Sequence, residues 1–100
     1  MPDLSDAHRR EVTTPYRRLL ADVEASLYRH DPIGIADAEN ADEYSHEAAT
    51  IVPRLRDVET VEDVQRIVHE EFVRWFSAED AGPVDRYRAI AEEIGAALGR

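Results

Sequence analysis

Residues 60–76 read TVEDVQRIVHEEFVRWF and decide the fold of this chain. Thr60 stands in front of two acids, which is typical of a helix N-terminus, because the hydroxyl caps the first turn and the acids complement the helix dipole. Behind this cap, apolar residues recur at helical spacing at Val61, Val64, Ile67, Val68, Phe72, Trp75 and Phe76. These apolar residues cover so much of the helix circumference that we expect a central helix over residues 61–77, packed on two neighbouring helices.

Three further segments show helical periodicity, over about residues 15–30, 45–57 and 83–98. Pro15 suits a first helical turn, and the open alternative is that an earlier helical piece precedes it and is kinked there. No segment alternates apolar and polar residues as a half-buried strand does. The sequence therefore predicts one all-α domain over residues 1–100, a compact four-helix bundle-like fold with a long ordered loop over residues 31–44 between the first two helices.

The charge and composition of the chain exclude several functions. Its 100 residues include 12 Arg, no Lys and 22 Asp or Glu, which gives a net charge of −10. We expect no nucleic-acid partner, because phosphate binding needs excess cations, and no membrane partner, because no apolar run approaches the roughly 20 residues of a span. Cysteine is absent, and the N-terminus lacks the basic and apolar stretches of a secretory signal, so we expect a cytoplasmic protein. The four glycines form no phosphate-binding loop, and we expect no cofactor.

Two short motifs stand at the ends of the loop, DPIG at residues 31–34 and DEY at residues 42–44. Asp31 can close a turn through its side chain, Pro32 fixes its own φ, and Gly34 permits a positive φ. These three residues are therefore predicted to order the loop.

In the DPIG and DEY motifs the sequence resembles the YugE-like family of small helical bacterial proteins of unknown function. The resemblance extends over about residues 16–75, and the two motifs are its distinctive part. It implies an all-α fold and supplies no catalytic residue.

The loop region is also the most acidic part of the chain. Six acids and no Arg lie between Asp31 and Glu47, whereas the first predicted helix is net basic. This polarity favours an acidic surface that docks on a basic protein and gains association rate from electrostatic steering. The predicted contact residues are Asp37, Glu39, Asp42, Glu43 and Tyr44. The alternative is a solvated loop whose acids reflect an acidic, Lys-free genomic or halophilic background.

A metal site is the next candidate, because Glu43 and His46 have the i, i+3 spacing of helical di-iron proteins. The second such motif that those sites require is absent from the sequence. A metal-dependent hydrolase of a nucleotide or other phosphate compound would add Glu59, Glu62 and Glu70, which a solvated helix face also explains. A further alternative is an anion site built from Arg17, Arg18, Arg54 or Arg56. The competing interpretation is that these arginines are solvated or paired with acids of the chain.

Aromatic residues cluster at the end of the third helix, at Phe72, Trp75 and Phe76. Helical spacing favours a core position, and the alternative is an exposed interface anchor next to Arg74. We expect His69, at the margin of this stripe, to be a hydrogen-bonded structural residue.

The leading hypothesis is a non-enzymatic acidic helical protein-interaction domain, one form of which is an immunity- or inhibitor-type partner of a basic toxin or nuclease. The alternative is the metal-dependent hydrolase. A third hypothesis is a homodimer whose interface is formed by those apolar residues of the third helix that the other helices leave uncovered.

Overall fold

The computed structural model describes residues 4–34 and 43–99, with side chains described from Tyr16 onward in those ranges. All regular structure in these ranges is helical, which confirms the predicted all-α, bundle-like fold. The elements are α1 (Leu4–His30), α2 (Ser45–Ile51) with a following 3₁₀ turn (Val52–Leu55), α3 (Val61–Trp75), α4 (Ala78–Ala81), a second 3₁₀ turn (Val84–Tyr87) and α5 (Arg88–Ala97). None of the described helices is long and apolar enough to cross a membrane.

α3 begins as the sequence predicts. The Thr60 hydroxyl accepts the backbone N–H of Asp63 at 3.1 Å, and the Asp63 carboxylate accepts the backbone N–H of Thr60 at 3.2 Å. This is a capping box, which satisfies two backbone donors that the helix itself leaves free. α3 packs against α2, α4 and α5, so its predicted central position is confirmed.

The bounds of the other helices differ from the prediction. α1 begins at Leu4 and runs through Pro15, so Pro15 does not mark its start. The regular part of α2 ends at Ile51, because Pro53 has no N–H to donate and the chain tightens into a 3₁₀ turn. The short α4 forms in the predicted break, where the Ser77 hydroxyl accepts the backbone N–H of Asp80 at 3.0 Å.

One hydrophobic core joins all the helices, because each turns an apolar face inward. Its buried members are Val23, Leu27, Tyr44, Ala48, Ile51, Val52, Leu55, Val58, Val64, Ile67, Val68, Phe72, Ala81, Tyr87, Ile90, Ala91 and Ile94. Tyr16 and Val84 belong to the predicted apolar stripes but remain 44% and 41% exposed. The stripe of α1 is therefore buried toward its C-terminal end, where α1 meets α2 and α5.

A polar cluster joins α1 to α5 beside this core. The Glu93 carboxylate accepts hydrogen bonds from Ser26 at 2.9 Å, from His30 at 2.5 Å and from Arg29. Ser26 is buried, so its hydroxyl needs such a partner. The cluster joins the C-terminal end of α1 to α5.

Candidate functional site

The DPIG motif forms the turn that the sequence predicts. Asp31 takes a φ of +47°, and its N–H donates to the carbonyl of Leu27 at 2.8 Å, which ends α1 in a left-handed cap. Gly34 takes a φ of +74°, a conformation that glycine adopts without steric cost, and donates its N–H to the carbonyl of Asp31 at 3.1 Å. Ile33 packs partly buried against the core.

Tyr44 closes the loop from its other end. Its hydroxyl donates to the Asp31 carboxylate at 2.5 Å, and its ring packs 5.9 Å from that of Phe72, centroid to centroid. Tyr44 is fully buried, so the expectation that it contacts a partner needs correction. A buried phenol needs a hydrogen-bond partner, and this one joins the two ends of the loop.

Arg86 makes a second connection to the same turn. Its Nη1 donates to the carbonyls of Pro32 at 3.1 Å, Asp80 at 3.2 Å and Ala81 at 3.1 Å. Gly82 allows this approach, since a Cβ there would lie 2.4 Å from the Arg86 guanidinium carbon. We call Asp31, Pro32, Tyr44 and Arg86 the loop clasp.

Of the predicted contact residues, Asp37, Glu39 and Asp42 lie outside the described residues. Glu43 is half-buried next to them. Glu47 follows on the core-facing side of α2 and is 5% exposed, and its Oε2 has no hydrogen-bond partner among the residues that the structure describes. Burial raises the pKa of Glu47, and the charge of Glu43 raises it further.

The predicted metal pair is not arranged as a site. His46 is exposed, and its ring lies 6.0 Å from that of Trp75, centroid to centroid. In the part of the chain that the structure describes, no three His, Asp or Glu side chains are grouped to hold a metal ion. Glu43 and His46 therefore have no third metal ligand beside them among those residues.

The carboxylates of the hydrolase hypothesis also lie apart. Glu62 binds Arg88 of α5 at 3.1 Å, whereas Glu70 binds Arg54 of the first 3₁₀ turn at 2.6 Å. These two arginines belong to different elements, and Glu59 is exposed before the helix begins. No observation favours the hydrolase.

Trp75 does not occupy the core position that its helical spacing favours. It is 43% exposed, while Phe72 is fully buried and Phe76 partly so. The indole N–H of Trp75 donates to the Thr50 hydroxyl at 2.9 Å, and that hydroxyl donates to the carbonyl of Glu47 at 3.1 Å. The exposed ring is therefore tied to α2.

Next to Trp75, two arginines meet one buried carboxylate. Glu71 is 1% exposed, and its Oε2 accepts from Arg54 at 2.8 Å and from Arg74 at 3.2 Å. We call Arg54 and Arg74 the arginine pair. The hydrogen bond to Glu70 is the main cause that raises the pKa of Arg54.

A shallow depression lies beside the arginine pair and opens to solvent. It has a volume of about 610 Å³ and is lined by Arg54, His69, Glu70, Val73 and Arg74. His69 donates from Nε2 to the carbonyl of Gly82 at 2.9 Å, which confirms its expected structural role. We call Thr50, the arginine pair, Val73 and Trp75 the α2–α3 face.

Three residues have roles in the structure that were not predicted from the sequence: the buried carboxylates of Glu71 and Glu47, and Arg86. Glu71 stands three residues after Val68 and seven after Val64, so it lies on the buried stripe of α3. Glu47 lies in the same way between Tyr44 and Ile51 on the stripe of α2. An acid on an apolar stripe was the available signal, whereas nothing local indicates the role of Arg86.

Comparisons of the chain with protein-family models, with curated proteins and with solved structures gave no match. The resemblance to the YugE-like family therefore stays a prediction that rests on the DPIG and DEY motifs.

Proposed function

We propose that this chain is a non-enzymatic, acidic protein-interaction domain of the cytoplasm that presents residues 35–42 to a protein with a basic surface. An immunity- or inhibitor-type partner of a basic toxin or nuclease is one form of this function. The observation that carries the proposal is the loop clasp, which holds both ends of the acidic segment on the folded core.

The clasp matters because it reduces the entropy lost on binding. The Asp31 carboxylate and the Tyr44 hydroxyl are 2.5 Å apart, so the two residues that flank the acidic segment are held together on the folded core. Binding loops carried on a rigid scaffold lose less freedom than free chain segments do when a partner orders them. Asp31, Pro32 and Gly34 thus serve the function by shaping the base of the loop.

The charges at this end of the molecule complement a basic partner. Asp37, Glu39 and Asp42 occur in a segment without Arg. Burial is the main cause that raises the pKa of Glu47, and the charge of Glu43 raises that pKa as well. On α3, by contrast, the acids bind arginines of the same chain. Cationic side chains of a partner would relieve the repulsion at the loop, and the net charge of −10 would speed their approach.

The test compares two triple variants with the same net charge. The loop variant carries Asp37→Asn, Glu39→Gln and Asp42→Asn. The control carries Asp57→Asn, Glu79→Gln and Asp85→Asn, which are exposed acids with no ion pair among the described residues. Each variant has a net charge of −10 + 3 = −7. Proteins retained from an extract of the source organism are quantified, and their dissociation constants and association rates are then measured at low and high salt.

We expect the wild-type chain and the control to retain a basic protein that the loop variant binds at least about tenfold more weakly. Its association rate should fall as salt rises, because salt screens the steering charges. Equal binding by the two triple variants, a partner without a basic surface, or no specific partner at all would refute the proposal.

A further inference from the structure

We propose that the α2–α3 face is a second binding surface, which receives an acidic peptide segment of a partner protein. A carboxylate of that segment binds the arginine pair, and an apolar side chain next to it packs on Trp75. This surface is formed by residues other than Asp37, Glu39 and Asp42, and it selects the opposite charge.

Trp75 has the properties of an interface anchor. Its ring is 43% exposed, yet its N–H is bound by Thr50 at 2.9 Å and its ring packs near that of His46. A ring that is already fixed loses little conformational entropy when a partner covers it. Tryptophan and arginine are the residues most enriched among those that dominate binding energy, and here Arg74 is the neighbour of Trp75.

The arginine pair supplies the charge that selects the ligand. Glu71 is buried and holds both guanidinium groups on one oxygen, at 2.8 Å and 3.2 Å. Arg54, Arg74 and Glu71 together carry one net positive charge, which Glu70 balances as long as it binds Arg54. Arg74 uses one N–H in this contact, and its side chain is 74% exposed. Its remaining donors match the two oxygens of a carboxylate in geometry and charge.

Glu70 does not prevent this binding. It binds Arg54 at 2.6 Å, but its side chain is 45% exposed, and ion pairs at such positions contribute little stability. A ligand carboxylate can therefore replace Glu70 at Arg54 while Glu71 keeps the arginines in place. Val73 lies in the depression of about 610 Å³ beside them and offers apolar contact. A basic segment would instead meet two arginines of like charge.

The experiment selects ligands from a random peptide library displayed on phage, with the full chain as target. Two variants remove the proposed contacts, Trp75→Ala and Arg74→Gln. Their matched controls are Val84→Ala, at another exposed apolar residue, and Arg56→Gln, which removes an equal charge at an exposed arginine. Circular dichroism verifies that each variant folds. Trp75 is the single tryptophan of the chain, so its fluorescence reports binding at this face.

We expect peptides that combine net negative charge with a large apolar residue. Their enrichment should persist on the wild-type chain and both controls and fall at least about tenfold on Trp75→Ala and on Arg74→Gln. Peptides that depend on Trp75 but are neutral or basic would overturn the proposal. Acidic peptides that bind the Arg74→Gln and Arg56→Gln variants equally tightly would also overturn it. So would a selection that yields no peptide whose binding depends on Trp75. Basic peptides that depend on Asp37, Glu39 and Asp42 would concern the loop instead.

Discussion

Replacement of Glu93 by Gln should weaken the junction of α1 and α5 in a pH-dependent way. The Glu93 carboxylate accepts hydrogen bonds from His30 at 2.5 Å, from Ser26 at 2.9 Å and from Arg29. These contacts lower the pKa of Glu93 from 4.5 to about 2, with the hydrogen bond from His30 as the largest cause. Glutamine keeps the size of the side chain but removes the charge that all three donors favour.

The magnitude follows from the pKa of Glu93. A fall from 4.5 to about 2 corresponds to about 3 kcal/mol, at roughly 1.4 kcal/mol per pKa unit. The Glu93 side chain is 35% exposed, and solvent screening reduces the expected contribution to about 1–2 kcal/mol. Because the pKa of Glu93 is lower in the folded state, this stabilisation is present in full above the unfolded pKa of 4.5. It is lost as the pH falls through that value toward 2.

Urea denaturation of the wild-type chain and Glu93→Gln measures the effect. We expect the variant to be less stable by about 1–2 kcal/mol near pH 5.5 and by less than about 0.5 kcal/mol near pH 2.5. Glu92→Gln is the matched control, because Glu92 is 59% exposed and lies 3.7 Å from Arg88 in an ordinary surface ion pair. Its change in the free energy of unfolding should stay below about 0.5 kcal/mol. An effect of Glu93→Gln that is the same at both pH values, or no larger than that of Glu92→Gln, would show the reasoning to be wrong.

Two further substitutions test the loop region by the same measurement. Tyr44→Phe removes the hydroxyl that binds the Asp31 carboxylate, and we expect a loss of about 1–2 kcal/mol in the free energy of unfolding. Unchanged stability would mean that the hydroxyl does not close the loop. Glu47→Gln should raise the free energy of unfolding by about 1 kcal/mol at pH 7, because a buried carboxylate oxygen without a donor is costly when ionised. Because the pKa of Glu47 is raised above 4.5 in the folded state, this gain shrinks as the pH falls toward 4.5, and it is absent well below 4.5, where the carboxyl is protonated in both states. A destabilised variant at pH 7 would contradict this prediction.

The elements that sequence analysis predicts best are those whose causes are local. Thr60 and Asp63 are three residues apart, so their capping box is visible in the sequence and α3 starts where it indicates. The turn at Gly34 follows in the same way from the conformations open to each residue. Pro15 allowed two interpretations, a helix start or an earlier helical piece in front of it, and the helix that begins at Leu4 bears out the second. Proline prefers the first turn of a helix, but this local preference does not prevent the longer helix from running through Pro15.

The candidate sites were only partly predictable for the same reason. Periodicity placed Trp75 on the apolar stripe of α3, but no element of the described structure covers it fully at the end of that helix. Tyr44 was named as a contact for a partner protein, yet its ring is buried against Phe72. Periodicity reports which residues share a face, and burial depends on which neighbour that face meets.

The all-α class can be inferred from the amino-acid sequence alone, as can the cap of α3, the DPIG turn and the concentration of acid charge around the loop, because each depends on residues within a few positions of one another. Only the tertiary structure decided the contacts that define the two candidate surfaces. Tyr44 meets Asp31 across 13 positions, Arg54 meets Glu71 across 17, and Arg86 meets Pro32 across 54. Such pairs form only when the helices pack, since packing of the core determines which polar groups are brought within hydrogen-bond distance.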